Sequence, residues 1–313
     1  MLCHFAPFFA ALATLSAATA ALPSPSPSSR AQRFDFRGDI PAFLRSLPDS
    51  LGKQSKLVSI LTALATAYPQ EFEGMEFDPD RHVMVRIAGR NLVYDDGSAK
   101  TFKQRLDRPD LEDMFCQTYP LTNPTDRLSP DFDPGRYRME AFFFALYGDS
   151  RTAVARNCQS VPFCGHTVRF NSRCGAAAAL RAVSDDLTKL FDRKPELRVY
   201  VEKLAGTFNW RKVAGTERLS NHSFATAIDL NVAKAAYWGW QDATQLETFS
   251  RKTWPEEIVA AFEHHGFIWG GKWWHFDTMH FEYRPEIIAY AKANPGRPAV
   301  TPVAPAASSE PSR

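Results

Sequence analysis

Apolar residues recur along this chain at two periods, and the switches between them outline its elements. Leu57, Ile60, Leu61 and Leu64 fall three and four apart, which predicts a helix over residues 54–68. Leu180, Val183, Leu187 and Leu190 form a second helical stripe. "RMEAFFFALYG" is apolar on nearly every side and predicts a buried helix closed by Gly148. Residues 82–95, around "HVMVRIAGRNLVY", alternate instead and break at Gly89, the pattern of a small hairpin. "LRVYVEKL" reads as a strand. Pro255 opens a later helix, with Glu256 and Glu257 in the first turn where the positive end of the dipole favours them, and Gly266 closes it. From 107 to 136, frequent Pro and Asp predict irregular structure.

Two alternating stretches carry chemistry on one face. In "AIDLNV", Ile228, Leu230 and Val232 share one side of a strand, and Ala227, Asp229 and Asn231 share the other. His222 precedes this strand, across a small-residue turn (Ser223 to Thr226) that folds it back beside Asp229. In "TMHFEY", His280 and Glu282 share a face, and Asp277 stands just ahead of them. A catalytic zinc takes three protein ligands and keeps one position open. His222, Asp229 and His280 supply that number for one Zn2+ ion. Asp277 is placed to take the proton of a water whose pKa zinc lowers to about 7. Such a carboxylate serves first as general base, then as acid to the leaving amine.

A single His near a strand is more often structural; the pairing of His222 with Asp229, followed by Asp277-x-x-His280, is what points to a metal. Glu282 fits as a carboxylate that orients His280. His275 reads as a supporting residue behind the ligands, and His264 and His265 as side chains at the negative end of a helix.

The pattern S-x-H-x-x-G-x-A-x-D, then a Trp-rich stretch and D/E-x-x-H, resembles the zinc D-Ala-D-Ala carboxypeptidases of the VanY type. Their relatives include L-Ala-D-Glu endopeptidases, and their fold is shared with Hedgehog signalling domains. The chain shows Ser220, His222, Ala227 and Asp229 of the first motif, and Asp277-Thr278-Met279-His280 of the second; "GFIWGGKW" is also similar. Ala225 stands where the family usually has Gly, which matters if the backbone there requires positive φ. The resemblance covers roughly residues 165–290. It implies an α+β fold, with a small antiparallel sheet carrying the zinc site and helices around it.

The resemblance also implies roles. His222, Asp229 and His280 match the zinc ligands, and Asp277 matches the catalytic base. An Arg on a preceding strand polarises the scissile carbonyl; Arg211 fits this role and Arg218 is the second choice. Ser220 is a candidate hydrogen-bond partner for substrate, and Trp273 and Trp274 are candidate pocket walls. Arg218 or Lys272 is a candidate for reading a substrate carboxylate. "DPGRYRMEAFFFALYG" is similar to an extension that some members carry, to which no role is assigned. The implied substrates are peptidoglycan stem peptides, cut as a D-alanyl-D-alanine carboxypeptidase would. The alternatives are an L-alanyl-D-glutamate endopeptidase and a non-catalytic zinc-containing cell-wall-binding module.

Composition adds context. With 313 residues, 44% of them hydrophobic, the chain is long enough for one large core or two modest ones. A net charge of +2 and no dense Lys/Arg run argue against nucleic acid as a partner. An apolar run from Phe5 to Leu15 before Ala18-Thr19-Ala20 reads as a signal peptide over 1–20. It is too short to span a bilayer, so no stable membrane anchor is expected after cleavage. The expected location is therefore the periplasm or the extracellular space. A disordered Pro/Ser linker (21–37), an N-terminal extension (38–155), the zinc peptidase domain (156–292) and a disordered tail (293–313) follow. Without Cys3, the cysteines left are Cys116, Cys158, Cys164 and Cys174, an even set that predicts disulfides in an exported chain.

Overall fold

The structure is a computed structural model that describes residues 31–52, 55–123, 128–241, 249–250 and 254–295. Among these, helices and three small antiparallel sheets alternate along the chain, an α+β arrangement. The first sheet joins β1 (Gln32–Asp35), β2 (Phe72–Phe77), β3 (Val83–Ile87) and β4 (Arg90–Val93) in chain order. The hairpin predicted at Gly89 is β3–β4. Ala88 and Gly89 both take positive φ there, as a tight turn matched to strand twist requires. β1 lies within the stretch expected to be linker.

Helices α1 (Ile40–Ser46) and α2 (Lys56–Ala67) cover this sheet. Ser55 caps α2 by accepting from the Val58 amide, and the stripe Leu57, Ile60, Leu61 and Leu64 is buried. Beyond α3 (Phe102–Asp107), the apolar segment forms α4 (Glu140–Tyr147), which stops at Gly148 with φ 119°. Then come α5 (Arg151–Asn157), the hairpin β5 (Cys158–Phe163) and β6 (His166–Asn171), and α6 (Ala176–Arg193), whose predicted stripe is buried.

The third sheet positions the chemistry. It contains β7 (Ala227–Asp229), β8 (Phe267–Trp269) and β9 (His280–Tyr283), with β9 central. α7 (Glu256–His264) packs on β8, and Phe262 stacks on Phe281 at 4.0 Å. The last helix, α8 (Pro285–Ala293), lies against α2. Tyr68, at the end of α2, donates to Glu286 of α8 at 2.7 Å, and Arg284 donates to the same Glu286 at 2.5 Å, all of them buried. The chain from Ala31 onward is one compact unit, so residues 38–155 are built onto the sheet that follows them.

Two expectations change. "LRVYVEKL" is no strand: Pro195–Tyr200 is a 3-10 helix, with the Leu197 and Val201 amides bonded three residues back to Lys194 and Arg198. The carbonyls of Val199 and Tyr200 instead accept from Asn231. The disulfide expectation is also overturned, because Cys116, Cys158, Cys164 and Cys174 are all free. Cys158 opens β5 and Cys164 lies in the turn just beyond its other end, so the length of the strand separates them. The Cys174 thiol faces the Leu146 carbonyl at 3.7 Å, and burial pushes the Cys116 thiol up to about 12. The signal-peptide segment, residues 21–30 of the linker and residues 296–313 of the tail lie outside the described residues. No helix among the described residues is long and apolar enough to cross a membrane.

Candidate metal centre

Register assembles the site. β7 and β9 pair antiparallel with Asp229 opposite His280, and Ala227 opposite Glu282. Directly opposed residues project from the same face of a sheet, so the Asp229 carboxylate meets the His280 ring. His222 arrives from the 3-10 turn Asn221–Phe224, capped by Ser220, whose hydroxyl accepts from the His222 amide. The turn closes at Ala225, where φ is 54° and ψ 39°. Asn171 clamps it, donating from its amide to the Ala225 carbonyl and from its side chain to the Phe224 carbonyl.

Position 225 therefore does sit in the left-handed region. An Ala there bears strain of about 1–2 kcal/mol. Gly would relieve it, but would lose a buried methyl worth about 0.8 kcal/mol and add unfolded-chain entropy of about 0.4–1 kcal/mol. The opposing terms nearly cancel. Ala225→Gly is expected to shift the urea midpoint by less than about 1 kcal/mol equivalent, whereas a β-branched Ala225→Val should cost more than about 2 kcal/mol, an αL penalty plus overpacking.

The three donors converge. His222 Nε2 lies 3.0 Å from Asp229 Oδ2, His280 Nδ1 lies 2.7 Å from Asp229 Oδ1, and the two ring nitrogens are 3.3 Å apart. Ligands at about 2.0–2.1 Å from a tetrahedral zinc stand about 3.3 Å from each other, so this is a zinc-sized triangle drawn slightly inward. The outer ring nitrogens are engaged elsewhere. His222 Nδ1 donates to the Thr207 carbonyl at 2.7 Å, and His280 Nε2 donates to Glu282 at 2.9 Å. Both imidazoles thus turn a lone pair inward, toward a carboxylate, and the donor set fits a cation at its centre.

Electrostatics agree. Burial opposes charge on His280, but the Asp229 carboxylate, joined by Glu282, lifts its pKa to about 10. Burial likewise opposes the Asp229 charge, and the two imidazoles outweigh it, holding that carboxyl far below the usual range. Asp229 is thus the counter-charge of both rings, and a bound cation would take the place of the proton they share with it.

Asp277 lines the same cleft of about 230 Å³, and its Oδ1 is enclosed with no hydrogen-bond partner. Burial chiefly raises its pKa, to about 6; His280 opposes this and Asp229 adds to it. The glycines of "WGGKWW" are required by close approach. A Cβ on Gly270 would stand 2.5 Å from the Asp277 carbonyl, and one on Gly271 would stand 2.2 Å from the Trp269 ring.

Other expected residues separate. Ser220, Arg211, Trp273 and His275 line the cleft. Arg211 does not follow a strand; residues 200–210 make only an isolated bridge at Gly206–Asp229, and its backbone is pinned by Ser223 and Ser220. Trp274 and Arg218 do not line the cleft. Trp274 packs on His275, and Arg218 faces Asp107 at 3.6 Å; burial, with Arg138 and Arg136 nearby, brings its pKa down to about 10. Lys272 is buried on Glu263 at 2.6 Å and on the Pro120 carbonyl, so it cannot read a substrate carboxylate. His265 pairs with Asp186.

The stretch without an assigned role forms one wall. Arg136 and Arg138 line the cleft, Asp133 holds both the amide and the ring of His275, and Glu140 accepts from the Leu219 amide.

No curated protein and no solved structure matches the chain significantly. Residues 214–283 match the profile of a family described as D-alanyl-D-alanine carboxypeptidase, a segment that holds the three converging donors and Asp277 but not Arg136 or Arg138. By that match and by the motifs it spans, this segment is similar to the VanY-type D-alanyl-D-alanine carboxypeptidase family.

Proposed function

We propose that the chain is an exported zinc metallopeptidase that hydrolyses peptidoglycan stem peptides next to a D-amino acid, with D-alanyl-D-alanine carboxypeptidase as the best reading. The observation that carries it is the convergence of two imidazole lone pairs and a carboxylate beside the partnerless Asp277 oxygen. Zinc in this site supplies a Lewis acid for the scissile carbonyl. The protein supplies the rest. Asp277 Oδ1 takes the proton from the attacking water and returns it to the departing amine. Arg211, exposed at the cleft, is the donor nearest in kind to what a developing oxyanion needs. Trp273 walls the pocket, held by its indole bond to the Pro134 carbonyl at 2.8 Å.

Digestion of purified pentapeptide muropeptides is the direct test. Mass spectrometry should show loss of one alanine, in a reaction that a chelator stops and zinc restores. Release of a longer peptide would reassign the enzyme as an L-alanyl-D-glutamate endopeptidase. Zinc binding without any cleavage would leave a cell-wall-binding module.

A further inference from the structure

We propose that Arg138 is a positioning residue for the metal centre, acting through Glu282 to fix the His280 ring with Nδ1 toward the ion. The inference rests on the metal reading above. Glu282 is fully buried on β9, two register positions from the Asp229–His280 pair and on the same face. Its Oε1 sits 2.9 Å from His280 Nε2 and 2.5 Å from Arg138 Nη2, and its Oε2 sits 3.3 Å from Arg138 Nε. The guanidinium therefore grips both carboxylate oxygens as a two-pronged fork. Arg284 stands behind at 3.5 Å.

A Glu side chain has three rotatable bonds and would not by itself hold an imidazole to one orientation. A planar fork fixes the plane of the carboxylate, and the carboxylate then fixes which ring nitrogen carries the hydrogen. The order across the site is guanidinium, carboxylate, imidazole, ion. Arg138 comes from the 133–148 extension, outside the segment matching the family profile. The same stretch braces the site at three more points. Asp133 holds His275, the Gly135 carbonyl accepts from Arg284 at 2.6 Å, and Glu140 holds the Leu219 amide just ahead of Ser220 and His222. Through these contacts the extension buttresses the ligand strand.

Arg138 also lines the cleft, so activity alone would not separate positioning from substrate contact. The test is zinc affinity of the full chain, by competition with a chromophoric chelator, for wild type, R138M, R138K, E282Q and R138M/E282Q. R138M and E282Q should each weaken zinc binding by about 10–100-fold. R138K should fall between R138M and wild type. The double variant should bind as E282Q does, because Arg138 has no route to the ion once Glu282 is changed. Cobalt-loaded R138M should show displaced d–d absorption bands.

A folded R138M that binds zinc within about twofold of wild type overturns the proposal, as does a double variant whose losses multiply. Should R138M fail to fold, with a buried carboxylate deprived of its two-pronged partner, the comparison of R138K with wild type and of the double variant with E282Q decides it in the same way. A wild-type chain that binds no zinc sinks the metal reading itself. Zinc-binding wild type with unaltered variants sinks only the role of Arg138.

Discussion

Asp277→Ala is expected to lower kcat on a D-Ala-D-Ala substrate by about 10²–10⁴-fold, the usual worth of a positioned general base, while one zinc stays bound per chain. The separation follows from where the carboxylate sits. Asp277 is not one of the three converging donors, so removing it leaves the metal-binding triangle intact. Its Oδ1 is enclosed and unpartnered, an arrangement that costs free energy unless the oxygen has something to do. Burial first, and Asp229 after it, lift its pKa to about 6 against the pull of His280, which suits a group that must accept and then donate a proton near neutrality. Asp277→Asn keeps the shape and should be nearly as inactive. Metal content by atomic emission, measured alongside turnover, checks both halves. Hydrolysis that survives either change assigns the base elsewhere.

The centre of this site was legible in the sequence because it is built on strands. A period of two places Ala227 and Asp229 on one face and His280 and Glu282 on another, and an antiparallel register of Asp229 on His280 brings those faces together. The ordering of the helices was legible for the same reason, with apolar stripes that are buried in α2 and α6. The supporting wall was not. Arg138 meets Glu282 across 144 positions, and Asp133 meets His275 across 142. No local period encodes a contact at that separation.

Two other departures have local causes. "LRVYVEKL" has the alternation of a strand, but Pro195 starts a 3-10 turn, and Asn231 takes the carbonyls a neighbouring strand would have used. Lys272 reads as a free cation beside the aromatic run, yet it is folded inward on Glu263, and Tyr119 bonds the same carboxylate. Pairing of the cysteines failed because an even count constrains number and not distance.

Asp229→Ala should abolish both zinc binding and hydrolysis, and the size of the effect follows from the ligand count. Binding free energies of about 10–16 kcal/mol for protein-held zinc, shared among three ligands, assign each about 3–5 kcal/mol, or on the order of 10²–10⁴ in affinity. The loss here falls at the upper end, because Asp229 is the only anion among the three donors and touches both imidazoles, at 3.0 and 2.7 Å. Its loss leaves two neutral ring nitrogens 3.3 Å apart with no charge to neutralise a divalent ion. Stability reports the same event. Wild type in zinc at about a hundred times its Kd gains about 2.7 kcal/mol over its metal-free form, seen as a rise in Tm that a chelator reverses. In Asp229→Ala that rise should vanish, whatever the Tm of the metal-free variant, since mass action needs a site to act on. A variant whose Tm still climbs with zinc would mean that the ion is held by other residues, and the triangle of His222, Asp229 and His280 would not be the metal centre.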